Sequence, residues 1–244
     1  WLPMRPGMRW TYEGASQEED GKAVPHRLVT TITDLVKTLS GVKTVVSYTL
    51  DYSDGELVEA ELAFFAQDND GNVWHFGEYP EEYDKGKFVK APAWIHGLDG
   101  AHFGLAMPAD PRPEAGDFSE GWGPAVNWND RGIVYQINRK LAVPAGTYND
   151  VLVIKESAVE ERDAEQLKYY APAVGNLATG WLGSDAKITE DLSLVKFERI
   201  TGEELRKVRR QALQLEADAY KRSKTVYAKT SRSTVSIGAG LSSK

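Results

Sequence analysis

His96, Asp99 and His102 form a His-x-x-Asp-x-x-His run in the middle of the chain. Two imidazoles and a carboxylate are a donor set for zinc or a similar divalent ion. His75, with Glu78 three residues on, would join such a site if its hairpin lay nearby. The spacing is not a known metal motif, and surface or packing roles also account for the histidines. A second oxygen-rich run, Asp68-Asn69-Asp70-Gly71-Asn72, offers Asp68, Asp70 and Asn72 as calcium ligands. An EF-hand loop wants glycine at its sixth position and here it is fourth. A tight hairpin turn explains every residue of the run without a metal.

Glu78, Glu81, Glu82 and Asp84 form an acidic cluster just beyond this hairpin. Paired carboxylates do glycosidase chemistry only when held about 5–9 Å apart. Neighbours in a loop rarely meet that condition, so a solvated acidic face is the simpler reading. Aromatic residues crowd the same region, and Trp74, Tyr79, Trp94 and Trp122 are the candidate ligand contacts. Tyr83 and Trp128 accompany them, and such rings are most often core or barrel-mouth residues. No Gly-x-Ser-x-Gly elbow, P-loop or dinucleotide fingerprint is present. No catalytic residue is assigned, and a binding role is favoured over an enzymatic one.

These candidates must be positioned by strands. Phe64 to Glu78 reads as two aromatic-rich strands about the Asp-Gly turn, a strong hairpin pattern. Further alternating stretches lie at residues 8–13, 26–36, 42–52 and 56–67, each bounded by turn residues. Others fall at 132–137, 140–143, 147–156, 166–170 and 192–200. No strand–helix alternation occurs, so the chain reads as antiparallel and mainly β. Residues 79–130, with six prolines, read as a long irregular crossing with a short strand at Phe88–Lys90. One helix is predicted over 201–222. Thr201 and Glu204 have capping-box spacing, and Ile200 and Leu205 that of a hydrophobic staple. Leu205, Val208, Ala212, Leu215 and Ala219 make a narrow apolar stripe that would dock the helix on the sheet. A partner helix or a peripheral membrane contact is the alternative use of that stripe.

The 244 residues suffice for one large β domain, and no apolar run is long enough to span a membrane as a helix. There is no cysteine, hence no disulfide framework. A chain opening on Trp1 is read as one from which a signal peptide has been removed. Charge is split: residues 1–200 carry a net −13 and residues 201–244 a net +6. The basic arm therefore looks for something negative, either the body itself or a neighbouring copy. Arg206, Arg209, Arg210, Lys224, Lys229 and Arg232 are its candidate partner contacts. With Tyr220 and Tyr227 as its only aromatics, the arm is no platform for nucleic acid.

Two stretches resemble a family. Gln67 to Glu78 is similar to the AQDxDGNVWYFGE element of a group of uncharacterised secreted bacterial β-rich proteins. Lys168 to Gly175 resembles their KYYAPGVG element, and Pro144 to Leu152 the strand-turn-strand preceding it. His75 stands where tyrosine is usual and Ala173 where glycine is usual, and Asn176-Leu177 departs from an apolar continuation. The resemblance spans roughly residues 5–180 and implies an extracytoplasmic protein with a curved antiparallel sheet, like the half-barrels of lipoprotein carriers. It implies no activity.

Three parts are expected: a β domain over 1–200, an amphipathic helix over 201–222 and an extended basic tail over 223–244. The favoured role is an extracytoplasmic binding or structural protein, a subunit joined through its tail to itself or an acidic neighbour. The alternatives are a carrier of an apolar or lipid-like ligand in the concave sheet, and a metal-dependent hydrolase at His96, Asp99 and His102. No cofactor is required, zinc or calcium being the metals considered.

Overall fold

The computed structural model describes residues 1–17, 22–158, 165–182 and 189–236. The first half builds β1 (Met8–Gln17), β2 (Ala23–Leu39), β3 (Val42–Ser53), β4 (Glu56–Gln67) and β5 (Val73–Asp84). Shorter pieces follow: β6 (Lys87–Lys90), β7 (Trp94–Ile95), β8 (His102–Met107), β9 (Asp117–Ser119) and β10 (Gly121–Trp122). The second half adds β11 (Arg131–Val143), β12 (Gly146–Ser157), β13 (Glu165–Ala171), β14 (Gly175–Leu182) and β15 (Thr189–Arg199). Helix α1 (Gly202–Arg222) and β16 (Thr234–Val235) close the chain.

Every pairing between these strands is antiparallel, in the order β10-β8-β5-β4-β3-β2-β1-β15-β14-β13-β12-β11-β9. The curved sheet with one C-terminal helix is thus as expected. β9 and β10 lie at opposite ends of that order, yet only Glu120 separates them in sequence. The segment 117–122 therefore crosses from one edge of the curled sheet to the other. The ladder does not close, but its two edges are held face to face.

Alternation decides the two faces. On one face, Leu35, Val46, Tyr48, Leu62, Phe64, Phe76 and Tyr79 pack against Val208, Ala212, Leu215 and Ala219 of α1. The predicted stripe is thus spent on docking the helix. The capping box is not made: Thr201 caps without a side-chain hydrogen bond, while Glu204 reaches Arg9 at 2.5 Å. An ion pair between helix and sheet has taken the carboxylate that would have folded back.

Three readings of the chain need correcting. The acidic cluster after the hairpin is not in a loop, because β5 continues to Asp84 and alternates. The stretches at 132–137 and 140–143 are one strand, kinked where Asn138 takes φ 56°. Beyond the helix, Tyr227–Lys229 is a turn of 3-10 helix, and β16 adds to β2 of the same chain. Tyr227 is fully buried there. The described part of the tail is folded onto the body because that aromatic ring is buried there and β16 pairs with the part of β2 that runs past its pairing with β1. Residues 237–244 of the predicted tail lie outside the described residues.

Candidate functional site

The other face of the sheet is concave and holds a half-open cavity of about 380 Å³. Its walls are apolar, with Leu28, Ile32, Phe65 and Leu192 from the strands and Met4 from the N-terminal segment. Trp10 and Tyr12 of β1 complete them, anchored by hydrogen bonds donated to the carbonyls of Val174 (2.7 Å) and Asn176 (3.0 Å). Its floor is polar. Glu61, Glu78, Glu120, Asp130 and Glu156 all line it, with Lys168, His75 and Tyr170.

Each floor residue is placed by a local rule. Glu61 alternates with Ala60 and Leu62, which face the helix. On β5, His75 opposes Phe65 while Glu78 opposes Ala63, so β5 carries one extra residue. This bulge lets two residues three apart share a face. Gly77 takes it at φ 130°, and a Cβ there would lie 2.3 Å from the carbonyl oxygen of Trp94. Ile154 and Leu152 of β12 oppose Lys168 and Tyr170 of β13, and Glu156 follows on the same face. Glu120 sits on the segment linking the sheet's edges, its N–H bonded to the Asp130 carbonyl at 2.9 Å.

Burial sets the electrostatics, since taking a charge from water favours its neutral form. Glu78 is pushed up to about 8 by burial and then by the charge of Glu59. Glu61 and Glu120 are raised well above the carboxylate range by burial, with Glu78 and Glu156 respectively adding to it. Burial raises Asp130 as well. Burial opposes the Lys168 ammonium, yet Glu156, Tyr170 and Glu120 together hold it charged well above its ordinary value. Its head pairs directly with Glu156. His75 is driven down to about 3 by burial, so it is a neutral ring. Its Nε2 is 3.8 Å from Glu78 and makes no hydrogen bond, so this is proximity rather than a salt bridge. Glu120 also keeps a buried oxygen, Oε1, without a hydrogen-bond partner. The floor is thus a set of carboxyl groups whose charged forms burial disfavours, around one ammonium.

Apart from His75, the residues proposed from sequence fall elsewhere. His75 and His96 contact opposite sides of β5: His75 stacks on Phe65 at 4.7 Å, while His96 meets the edges of Phe76 and Phe103. His96 and His102 are 6.3 Å apart between ring centroids, and Asp99 sits at a turn tip 3.7 Å from Lys229. Alternation across β5 parts His75 from His96, and Asp99 turns towards Lys229, so the structure does not bring all four together. Among the described residues, the set whose ligand atoms all approach within 4.8 Å is His26, Asp51 and Glu190.

In the hairpin turn, Asp68 accepts from the backbone of Asp70 and Asn72, from Asn72 Nδ2 and from Trp74 Nε1. Those bonds, led by Trp74, hold its carboxyl down at about 2. Asn72 Oδ1 accepts from Ala109 N–H at 2.9 Å. Protein donors therefore use the oxygens proposed for calcium at Asp68 and Asn72, and Asp70 contributes its backbone N–H. Trp74, Tyr79, Trp94 and Trp122 are not among the cavity's lining residues. Tyr79 is on the helix face, donating to Glu81 at 2.6 Å, and Trp122 is exposed on β10. Trp94 packs under Trp128, where Gly121 and Gly123 leave room for its ring.

The basic residues of the arm meet groups of the same chain. Arg209 pairs with Asp34 at 3.1 Å, and Arg206 and Arg210 with Glu203. Lys224 donates to the Tyr220 carbonyl, Lys229 approaches Asp99, and Arg232 lies over the Tyr220 ring. Of the floor, Glu78 and His75 were noticed in the sequence, though for another purpose. The alternation Glu59-Ala60-Glu61-Leu62 was the available signal for a second charged face. Nothing local distinguishes such a face from one that looks at solvent.

No protein-family model matches the chain, and no curated protein does. Two solved structures are similar to it. A candidate exported protein with a YmcC-like fold from Bacteroides fragilis is 14% identical, with a TM-score of 0.45 over 82% of this chain and 99% of that one. A candidate lipoprotein from Parabacteroides distasonis is 13% identical, with a TM-score of 0.41 over 81% of this chain and 97% of that one.

Proposed function

We propose that the chain is a non-catalytic binding protein whose concave cavity takes an amphipathic cation. The observation that carries this reading is the cavity floor: five carboxyl groups face one ammonium, and Glu120 holds a buried, unpartnered oxygen among them. A buried polar oxygen without a partner carries a cost of about 1–3 kcal/mol that a ligand donor would remove. An ammonium or guanidinium on the ligand would take the place of the protons that burial now imposes. The apolar walls, with Leu28, Ile32, Phe65 and Leu192, suit a hydrocarbon body. The ligand is thus of the apolar kind expected for a carrier, with a basic end. The extracytoplasmic setting belongs to the same proposal and is supported by the motif resemblance.

The role of a subunit joined through its arm has less support, since residues 223–236 find their partners on their own body. Titration with a long-chain alkylammonium and with the matching fatty acid tests the carrier reading, using the fluorescence of Trp10 and Trp128. The cation is expected to bind and the acid not, and Glu120→Gln is expected to weaken the cation about tenfold, the loss of one charge-assisted hydrogen bond. Equal binding of the two, or binding of neither, would refute it.

A further inference from the structure

One further cluster lies on the concave face, beyond the cavity's polar floor. His26 of β2, Asp51 of β3 and Glu190 of β15 converge although their strands are not all neighbours. The register explains how. His26 sits opposite Gly14 of β1, and Gly14 in turn opposes Leu192 of β15, two residues from Glu190. With no side chain at Gly14, β1 and β15 approach closely, a Cβ there falling 1.8 Å from the Asp191 carbonyl oxygen, and His26 and Glu190 meet across them. Asp51 opposes Leu28, so it lies diagonally beside His26.

The three ligand atoms are close, as an ion pair or a shared metal would hold them. Nε2 of His26 is 2.6 Å from Asp51 Oδ1 and 2.9 Å from Glu190 Oε1. The side chain is only 10% exposed. His26 Nε2, Asp51 Oδ1 and Glu190 Oε1 all lie within 4.8 Å of one another. Without a metal, a proton on the imidazole joins them as an ion pair; a metal ion would take that proton's place on the same three atoms. Tetrahedral bonds of about 2.1 Å put neighbouring ligand atoms about 3.4 Å apart, so the three atoms would open slightly from their metal-free spacing to admit the ion.

We propose that His26 Nε2, Asp51 Oδ1 and Glu190 Oε1 form a binding site for a divalent transition-metal ion, with Zn²⁺ the natural occupant. One imidazole and two carboxylates suit borderline ions rather than Ca²⁺ or Mg²⁺, which take oxygen ligands throughout. Three protein ligands leave further positions for water or a ligand group. The site is independent of the cavity reading.

Zn²⁺ is titrated calorimetrically into chelator-treated full-length protein without any cavity ligand, while nitrogen NMR follows the four histidines. One Zn²⁺ per chain is expected, undiminished by millimolar Ca²⁺, with the largest shift at His26 Nε2. His26→Gln and Asp51→Asn should each weaken binding about a hundredfold, and Glu120→Gln should not change it. No stoichiometric Zn²⁺, or shifts confined to His96 and His102, would overturn the proposal. The NMR arm needs no variant, so a substitution that failed to fold would leave the test intact.

Discussion

Glu78 shows how much one bulge decides. With strict alternation in place of the bulge at Gly77, Glu78 would share the helix-side face with Phe76, and the cavity floor would lose a carboxyl. Its folded value near 8 lies above the ordinary 4.5. The folded state therefore holds a proton that the unfolded chain gives up, so its contribution to stability is complete below pH 4.5 and is lost as pH rises to about 8. Glu61 and Asp130, raised likewise, add to the fall, and the paired Lys168 faces the same floor. His75 acts oppositely: with its value near 3, stability is lost as pH falls from 6.5 towards 3. Denaturant titrations of Glu78→Gln should accordingly show a shallower loss of stability between pH 5 and pH 8.5 than those of the natural chain. An unchanged slope would mean that Glu78 ionises freely in the fold.

Between elements, the contact most dependent on one residue is Lys37. Its ammonium is fully buried, 2.9 Å from Glu216 of α1, and donates to the Ser231 carbonyl at 2.7 Å. It also lies 4.3 Å from the centre of the Tyr227 ring. Strand, helix and tail thus share one charge. Lys37→Met would leave Glu216 buried without its counter-charge, held only by bonds from Tyr227 and Ser233, at a cost of about 3–5 kcal/mol. Adding Glu216→Gln should return part of that loss, a coupling that a double-mutant cycle reads directly. A second element-scale test concerns the segment joining the sheet's edges. A Cβ on Gly121 would come within 2.6 Å of the Trp94 ring, and φ there is 152°. Gly121→Ala should cost about 1–3 kcal/mol and disturb the fluorescence of the Trp94–Trp128 pair. The long strands were legible because alternation and turn residues are local properties. β14 was missed since Gly175 to Leu182 lacks clean alternation, and the prolines after residue 79 hid the later half of β5.

Taken whole, the molecule is a curled sheet with two unlike faces, one dry under α1 and one polar around a cavity. The tail belongs to the dry side. Tyr227→Ala should lose about 3–5 kcal/mol and lower Tm by about 10 °C, measured by thermal denaturation; a tail that hung free would show no change. The charge split across the chain has the same origin. Arg222 meets Glu81, Arg209 meets Asp34 and Lys229 meets Asp99, so much of the arm's charge is matched by its own body.

The order of residues by itself determined the antiparallel strands, the central hairpin, the helix and the face by which that helix docks. Each follows from periods of two or 3.6 residues and from turn chemistry, which a short stretch carries complete. Which strand face became the inside was decided only by the tertiary structure. Glu61, Lys168 and Glu156 look like solvent-facing charges until the sheet curls and segment 117–122 joins its two edges. The convergence of His26, Asp51 and Glu190 likewise arises from register across β1 and from the close strand approach at Gly14. A site assembled from strands far apart in sequence leaves no spacing to read, because curvature and register are properties of the whole sheet.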